Sequence, residues 1–101
     1  MSDTSTEKRT KTITKPEKPR LHKVILVNDD FTPREFVVTV LKKVFGLSED
    51  EAYARMMTAH TQGVCTIAVY TREVAETKAE DAIEAGQRAG FPLMVTTEPE
   101  E

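Results

Sequence analysis

The sequence predicts a small α/β sandwich of the α+β type, in the order β-α-α-β-α-β, with a three-stranded antiparallel sheet and three helices packed on one side. Three observations predict it. Short runs of β-branched and apolar residues occur three times, the segments between them repeat apolar residues at helical spacing, and helix start and stop residues punctuate the boundaries. With 101 residues and 39% hydrophobic composition, the chain can build one modest core.

Residues 21–27 (LHKVILV) read as the first strand. Thr32, Pro33 and Glu35 then fit a capping box, with Thr32 as N-cap, Pro33 in the first helical position and Glu35 reaching back. The helix they announce carries Phe36, Val37, Val40, Leu41, Val44 and Phe45 as one apolar stripe, and Gly46 is placed to end it. Ser48-Glu49-Asp50-Glu51 repeats the capping device for a second helix, which sets Ala52, Met56, Ala59 and His60 on related faces and stops before Gly63. VCTIAVY, residues 64–70, is the second strand. Thr71 can cap a third helix, whose Val74, Ala75, Ala79, Ala82, Ile83 and Gly86 form a small-residue face closed by Gly90. FPLMVTT, residues 91–97, is the last strand, and 98–101 an acidic tail.

Residues 1–20 are rich in Ser, Thr, Lys, Glu and Pro and are expected to form a flexible extension ahead of a folded domain at 21–97, because they bury too little to offset their ordering entropy. Charge divides the same way. The extension holds six basic and three acidic residues, leaving eight basic against fourteen acidic, a balance of −6, for the rest. Such a domain repels a phosphate backbone, so nucleic acid is not an expected partner. One cysteine, Cys65, makes no internal disulfide, no apolar run reaches the roughly 20 residues of a membrane span, and the opening residues lack a secretory apolar region. A cytoplasmic monomer without membrane contact or cofactor is expected.

Asn28-Asp29-Asp30 follows the first strand directly and supports two readings. Asx residues favour turns, and acids suit a helix N-terminus. Against a purely local role, Thr32 already supplies a cap acceptor, so these three residues present acceptors in surplus, and His60, at the end of a helix packed beside the first, can approach the same loop. The cluster lacks the spacing of a calcium loop and the His and Cys of a transition-metal site, and no nucleophile or oxyanion device accompanies it. A small metal-assisted hydrolase using Asp29, Asp30 and His60 is the catalytic alternative. The acceptors better suit a protonated α-amino group with three N–H donors, beside an apolar pocket for its side chain. The remaining distinctive residues have plainer readings: Met56 and Met57 as core, Cys65 as a buried small hydrophobe, and His22 as a solvent-facing edge residue.

KVILVNDDFTPREFVV, followed in order by MMTAHTQG, TREVAETK and FPLMVT, resembles the ClpS family of adaptors for the ATP-dependent Clp protease, from about Lys23 to Thr97. The resemblance implies a non-enzymatic adaptor that binds the free α-amino group and bulky hydrophobic first residue (Phe, Tyr, Trp or Leu) of substrates and delivers them to the N-terminal domain of the AAA+ unfoldase ClpA. It implies that Asn28, Asp29 and His60 hydrogen-bond the α-amino group and first peptide unit. Asp30, Thr32, Val37, Met56 and Leu93 then form the side-chain pocket, and Glu73 and Lys78 face the unfoldase, with the extension assisting delivery. Two pocket positions depart from the family pattern: Arg34 stands where many relatives carry Met, and Ala59 where a larger aliphatic residue is common. The alternative is an unfoldase-docking regulator with altered or lost peptide binding.

Overall fold

The computed structural model describes residues 20–100. The flexibility expected of residues 1–20 thus falls, but for Arg20, outside the described residues. The elements are β1 (Leu21–Val27), α1 (Arg34–Phe45), α2 (Glu49–Gln62), β2 (Val64–Thr71), α3 (Arg72–Ala89) and β3 (Met94–Pro99). This is the expected order. β1 is the central strand, antiparallel to β2 on one side and β3 on the other. Strand alternation aims Val24 and Leu26 of β1 at the helices, where they join Ile67, Val95, Leu41, Val40 and the alanines of α2 and α3 in one core. On the opposite face Lys23 pairs with Glu98 at 3.4 Å.

The helices bury most of the faces their spacing predicts, Val37, Val40, Leu41 and Phe45 of α1, Ala52, Met56 and Ala59 of α2, and Ala75, Ala79, Ala82 and Gly86 of α3, while Val74, expected on the α3 face, is exposed. Small residues let α3 approach closely. A Cβ on Gly86 would lie 2.9 Å from Leu93 Cβ and 3.1 Å from the Phe91 carbonyl, so only glycine admits the 91–93 segment there. The Ser48 capping box is complete: the Glu51 N–H donates to Ser48 Oγ, and the Ser48 N–H to Glu51 Oε1.

Several expectations are corrected. α1 begins at Arg34 with Pro33 as N-cap and no side-chain cap bond, so the capping box at Thr32 does not form. Thr71 does sit at the N-cap of α3, but its hydroxyl makes no cap bond. β3 begins at Met94 rather than residue 91 and continues through Pro99, because 91–93 crosses Gly86 before pairing starts; Glu98 belongs to the strand. His22 lies on the central strand, half-buried, with a buried Nδ1 that finds no partner among the described residues; it is not a solvent-facing edge residue.

A register shift between Val24 and Ile25 leaves Ile67 without an opposite number on β1. Arg55 of α2 donates its Nε–H to the Ile67 carbonyl at 2.9 Å. The extra β2 residue thereby anchors α2 to the sheet, fixing the helix that carries Met56, Ala59 and His60.

Candidate functional site

The loop after β1 meets the end of α2. The Asn28 N–H donates to the Gly63 carbonyl at 2.9 Å, holding the mouth of β1 beside the turn that closes α2. Gly63 has φ of +94°, a conformation side-chain-bearing residues rarely adopt, so this junction depends on glycine. The chain then turns about Asp29. Its Oδ1 accepts from the N–H groups of Phe31 and Thr32, both at 2.8 Å, and its Oδ2 from the Thr32 hydroxyl at 3.0 Å. Thr32 is buried, which explains the lost capping box: its hydroxyl turns to the carboxylate instead of the helix.

The surplus of acceptors expected in the Asn-Asp-Asp cluster is therefore smaller than three residues. Asp29 is largely consumed by its own loop. Asp30 is exposed and makes no hydrogen bond or ion pair among the described residues, and the same holds for the Asn28 side-chain amide. These two groups remain for an external donor.

Beside the loop lies a cavity of about 280 Å³. Asn28, Asp29, Asp30, Thr32 and Arg34 line it from the loop and the start of α1, Val37 from the next turn, Met56, Ala59 and His60 from α2, and Leu93 from the segment before β3. The structure brings together every residue expected at the amine site and side-chain pocket. It adds Leu26, Val27 and Pro33, which the sequence reading passed over. The end of β1 at Val27 and the fixed φ of Pro33 ahead of α1 were the available signals. Val37, Met56, Ala59 and Leu93 are buried and give the cavity a hydrocarbon floor, while Asp30, Arg34 and His60 form a polar, exposed rim.

Across that rim the guanidinium of Arg34 lies with Nη2 2.8 Å from His60 Nε2. Arginine only donates, so Nε2 accepts and the imidazole proton of the neutral ring sits on Nδ1. Glu73 and Lys78 lie elsewhere, on α3. Glu73 is exposed, but Lys78 is half-buried, donating to the Val44 carbonyl at the end of α1 (2.9 Å) and lying 5.8 Å from the centre of the Tyr70 ring. Lys78 thus closes α1 against α3, a structural task the mixed-charge run did not reveal.

Burial pushes the Cys65 thiol up, with the Arg55 charge opposing more weakly, so the sulfur is held as a thiol. Among the described residues no three His, Cys, Asp or Glu side chains converge to hold a metal ion, and no helix is long and apolar enough to cross a membrane. A hydrocarbon floor under a polar, exposed rim is the form of a ligand-binding cavity.

Comparison with known proteins identifies which one. The family model for the ATP-dependent Clp protease adaptor protein ClpS matches residues 17–96, and the chain belongs to that family. It is 58% identical to ATP-dependent Clp protease adapter protein ClpS 1 of Bradyrhizobium diazoefficiens and 60% identical to ClpS 2 of Mesorhizobium japonicum, each over the full length of both chains. A solved structure of Agrobacterium tumefaciens ClpS2 bound to L-phenylalaninamide superposes with a TM-score of 0.81 at 58% identity, covering 82% of this chain and 100% of that one. The protein is therefore an adaptor of the Clp protease rather than a catalyst.

Proposed function

We propose that the cavity receives the first residue of a polypeptide: the α-ammonium at the Asn28, Asp30 and His60 acceptors, and a bulky hydrophobic side chain on the floor of Val37, Met56, Ala59 and Leu93. The observation carrying this reading is the pairing of two uncommitted acceptors, Asn28 and Asp30, with an apolar-floored cavity of about 280 Å³, room for one large side chain. Phenylalaninamide, the ligand of the Agrobacterium relative, has the same two parts, a free amine and a ring. Asp29 supplies charge and holds the loop, while Asp30, its neighbour, meets the amine. Charge-assisted bonds contribute about 1.5–3 kcal/mol each and burial of the side chain roughly 1.5–3 kcal/mol, so amine and side chain are needed together.

Substrates bound this way, led by Phe, Tyr, Trp or Leu, pass to the N-terminal domain of the ClpA unfoldase, with Glu73 on the docking surface and Lys78 holding that surface in shape. The test is degradation of a Phe-led reporter by the unfoldase and its protease. Adding the adaptor should speed turnover of that reporter but not of a Ser-led one. Glu73→Arg should reduce delivery while leaving peptide affinity intact. Equal turnover of both reporters would remove selection by the first residue.

One observation favours the second reading, a docking regulator with altered peptide binding: Arg34 already occupies His60. Phenylalaninamide binding separates the two, because a regulator without peptide binding shows none.

A further inference from the structure

Helix α3 carries acids that the domain itself does not use. Arg72 pairs with Glu76 at 3.2 Å and Arg88 with Glu84 at 3.4 Å, whereas the exposed carboxylates of Glu73 and Asp81 have no hydrogen bond or ion pair among the described residues. Both line one shallow groove of about 360 Å³, together with Val74, Thr77 and Lys78. Val74 is exposed, and Lys78 has committed its ammonium to the Val44 carbonyl. The groove thus sets two uncompensated anions around exposed hydrocarbon. Eight residues of helix separate the acids, a rise of about 12 Å.

The same chain carries a segment with the complementary pattern. In Lys11-Thr12-Ile13-Thr14-Lys15, two cations flank Ile13, the one bulky apolar residue between Met1 and Leu21. Four extended residues span about 13–14 Å, so the two ammonium groups match the two carboxylates while Ile13 falls between them. The segment is also tethered at the right place. Leu21 stands opposite Thr71, the N-cap of α3, so the chain enters the domain beside Glu73. The six residues from Lys15 to Leu21 reach up to about 20 Å, more than this path requires.

We propose that residues 11–15 lie along this groove in the free protein, with Lys15 at Glu73, Lys11 at Asp81 and Ile13 against Val74, so that the chain covers part of its own α3 face. The contact is independent of the peptide site. Its consequence for delivery rests on the docking surface proposed above: an unfoldase that uses Glu73 must first displace the segment, and the parent chain docks more weakly than one whose groove is open.

The experiment compares amide spectra of the 15N-labelled full chain with those of two full-length variants of equal charge change, Lys11→Glu/Lys15→Glu and Lys8→Glu/Arg9→Glu. The first should move the amides of Glu73, Val74, Thr77 and Asp81; the second, which leaves the matched pair intact, should keep them near the parent's positions. Salt of about 1 M, where the screening length is ~3 Å, should move the parent's α3 amides toward those of the first variant. Equal shifts from both variants, or none from the first, overturn the proposal. Shifts that vanish on dilution overturn it too, because they assign the segment to the groove of a second copy. Anisotropy against the ClpA unfoldase should then show Lys11→Glu/Lys15→Glu binding about 3 to 10 times tighter than the parent, the effect of removing two exposed ion pairs. If the amides report the contact and this affinity does not change, the segment's site stands and the docking reading of Glu73 fails.

Discussion

Replacing Asp29 with alanine separates the tasks of the two adjacent aspartates. The carboxylate holds three donors: the N–H of Phe31 and the N–H and hydroxyl of Thr32. Phe31 is 78% exposed, so water can take over its N–H at little cost. Thr32 is only 8% exposed, and both its donors would be left without partners. An unsatisfied buried group costs about 1–3 kcal/mol, and partial solvent access at the loop places each in the lower half of that range, giving roughly 2–4 kcal/mol in all. Small domains lose about 1–3 kcal/mol of stability per molar urea, and at a slope of about 2 the unfolding midpoint should fall by roughly 1–2 M. Asp29→Asn retains Oδ1 for the two N–H groups and should lose about 1 kcal/mol or less. Asp30→Ala, at an exposed residue without partners, should leave the urea midpoint unchanged yet weaken peptide binding. The assay is urea denaturation followed by circular dichroism, paired with peptide anisotropy for each variant. An Asp29→Ala midpoint equal to the parent's, or an Asp30→Ala protein that binds normally, would refute this division.

Three further predictions concern the frame around the cavity. Gly86→Ala forces a Cβ to 2.9 Å from Leu93 Cβ, and overpacking of about 1–3 kcal/mol should exceed the ~1 kcal/mol that alanine contributes to a helix; thermal unfolding should shift down and, because Leu93 lines the cavity, peptide affinity should fall too. Arg55→Leu strands the Ile67 carbonyl at about 1–3 kcal/mol and loosens α2, seen as faster hydrogen exchange from Met56 to His60. Hydrogen bonds from Ser48, backbone first, hold the Glu51 carboxyl below its ordinary 4.5, so the stabilisation is fully present above that pH and is lost as pH falls through the lowered value. Glu51→Ala, which removes the carboxylate that accepts from the Ser48 N–H, should therefore lower the melting temperature at pH 7 and differ less from the parent at pH 3; an equal gap at both values would count against it.

The helix ends were legible because their signals are local. Ser48 and Glu51 lie three residues apart, and Gly46 and Gly90 each follow the last helical turn in left-handed conformation. Thr32 misled for an equally physical reason: one hydroxyl had two possible partners, and a carboxylate three residues back wins over the helix N–H groups. The start of β3 was misplaced because residues 91–93 look like strand but are used to cross Gly86, a contact visible only once α3 is in position. At the site, the acidic loop was readable and its partition into bracing Asp29 and uncommitted Asp30 was not. Arg34 and His60 are 26 residues apart, and the bond between them follows from how α1 packs on α2, which no spacing encodes. Leu93 reached the expected pocket through family resemblance alone. Its place depends on the bare backbone of Gly86.

Blocking a peptide's terminal amine tests the account most directly. Calorimetric titration of the full chain with a Phe-led peptide, before and after N-acetylation, should show affinity falling by roughly 100-fold or more, since acetylation removes the charge and at least two charge-assisted hydrogen bonds. Equal affinity for the two peptides would contradict it.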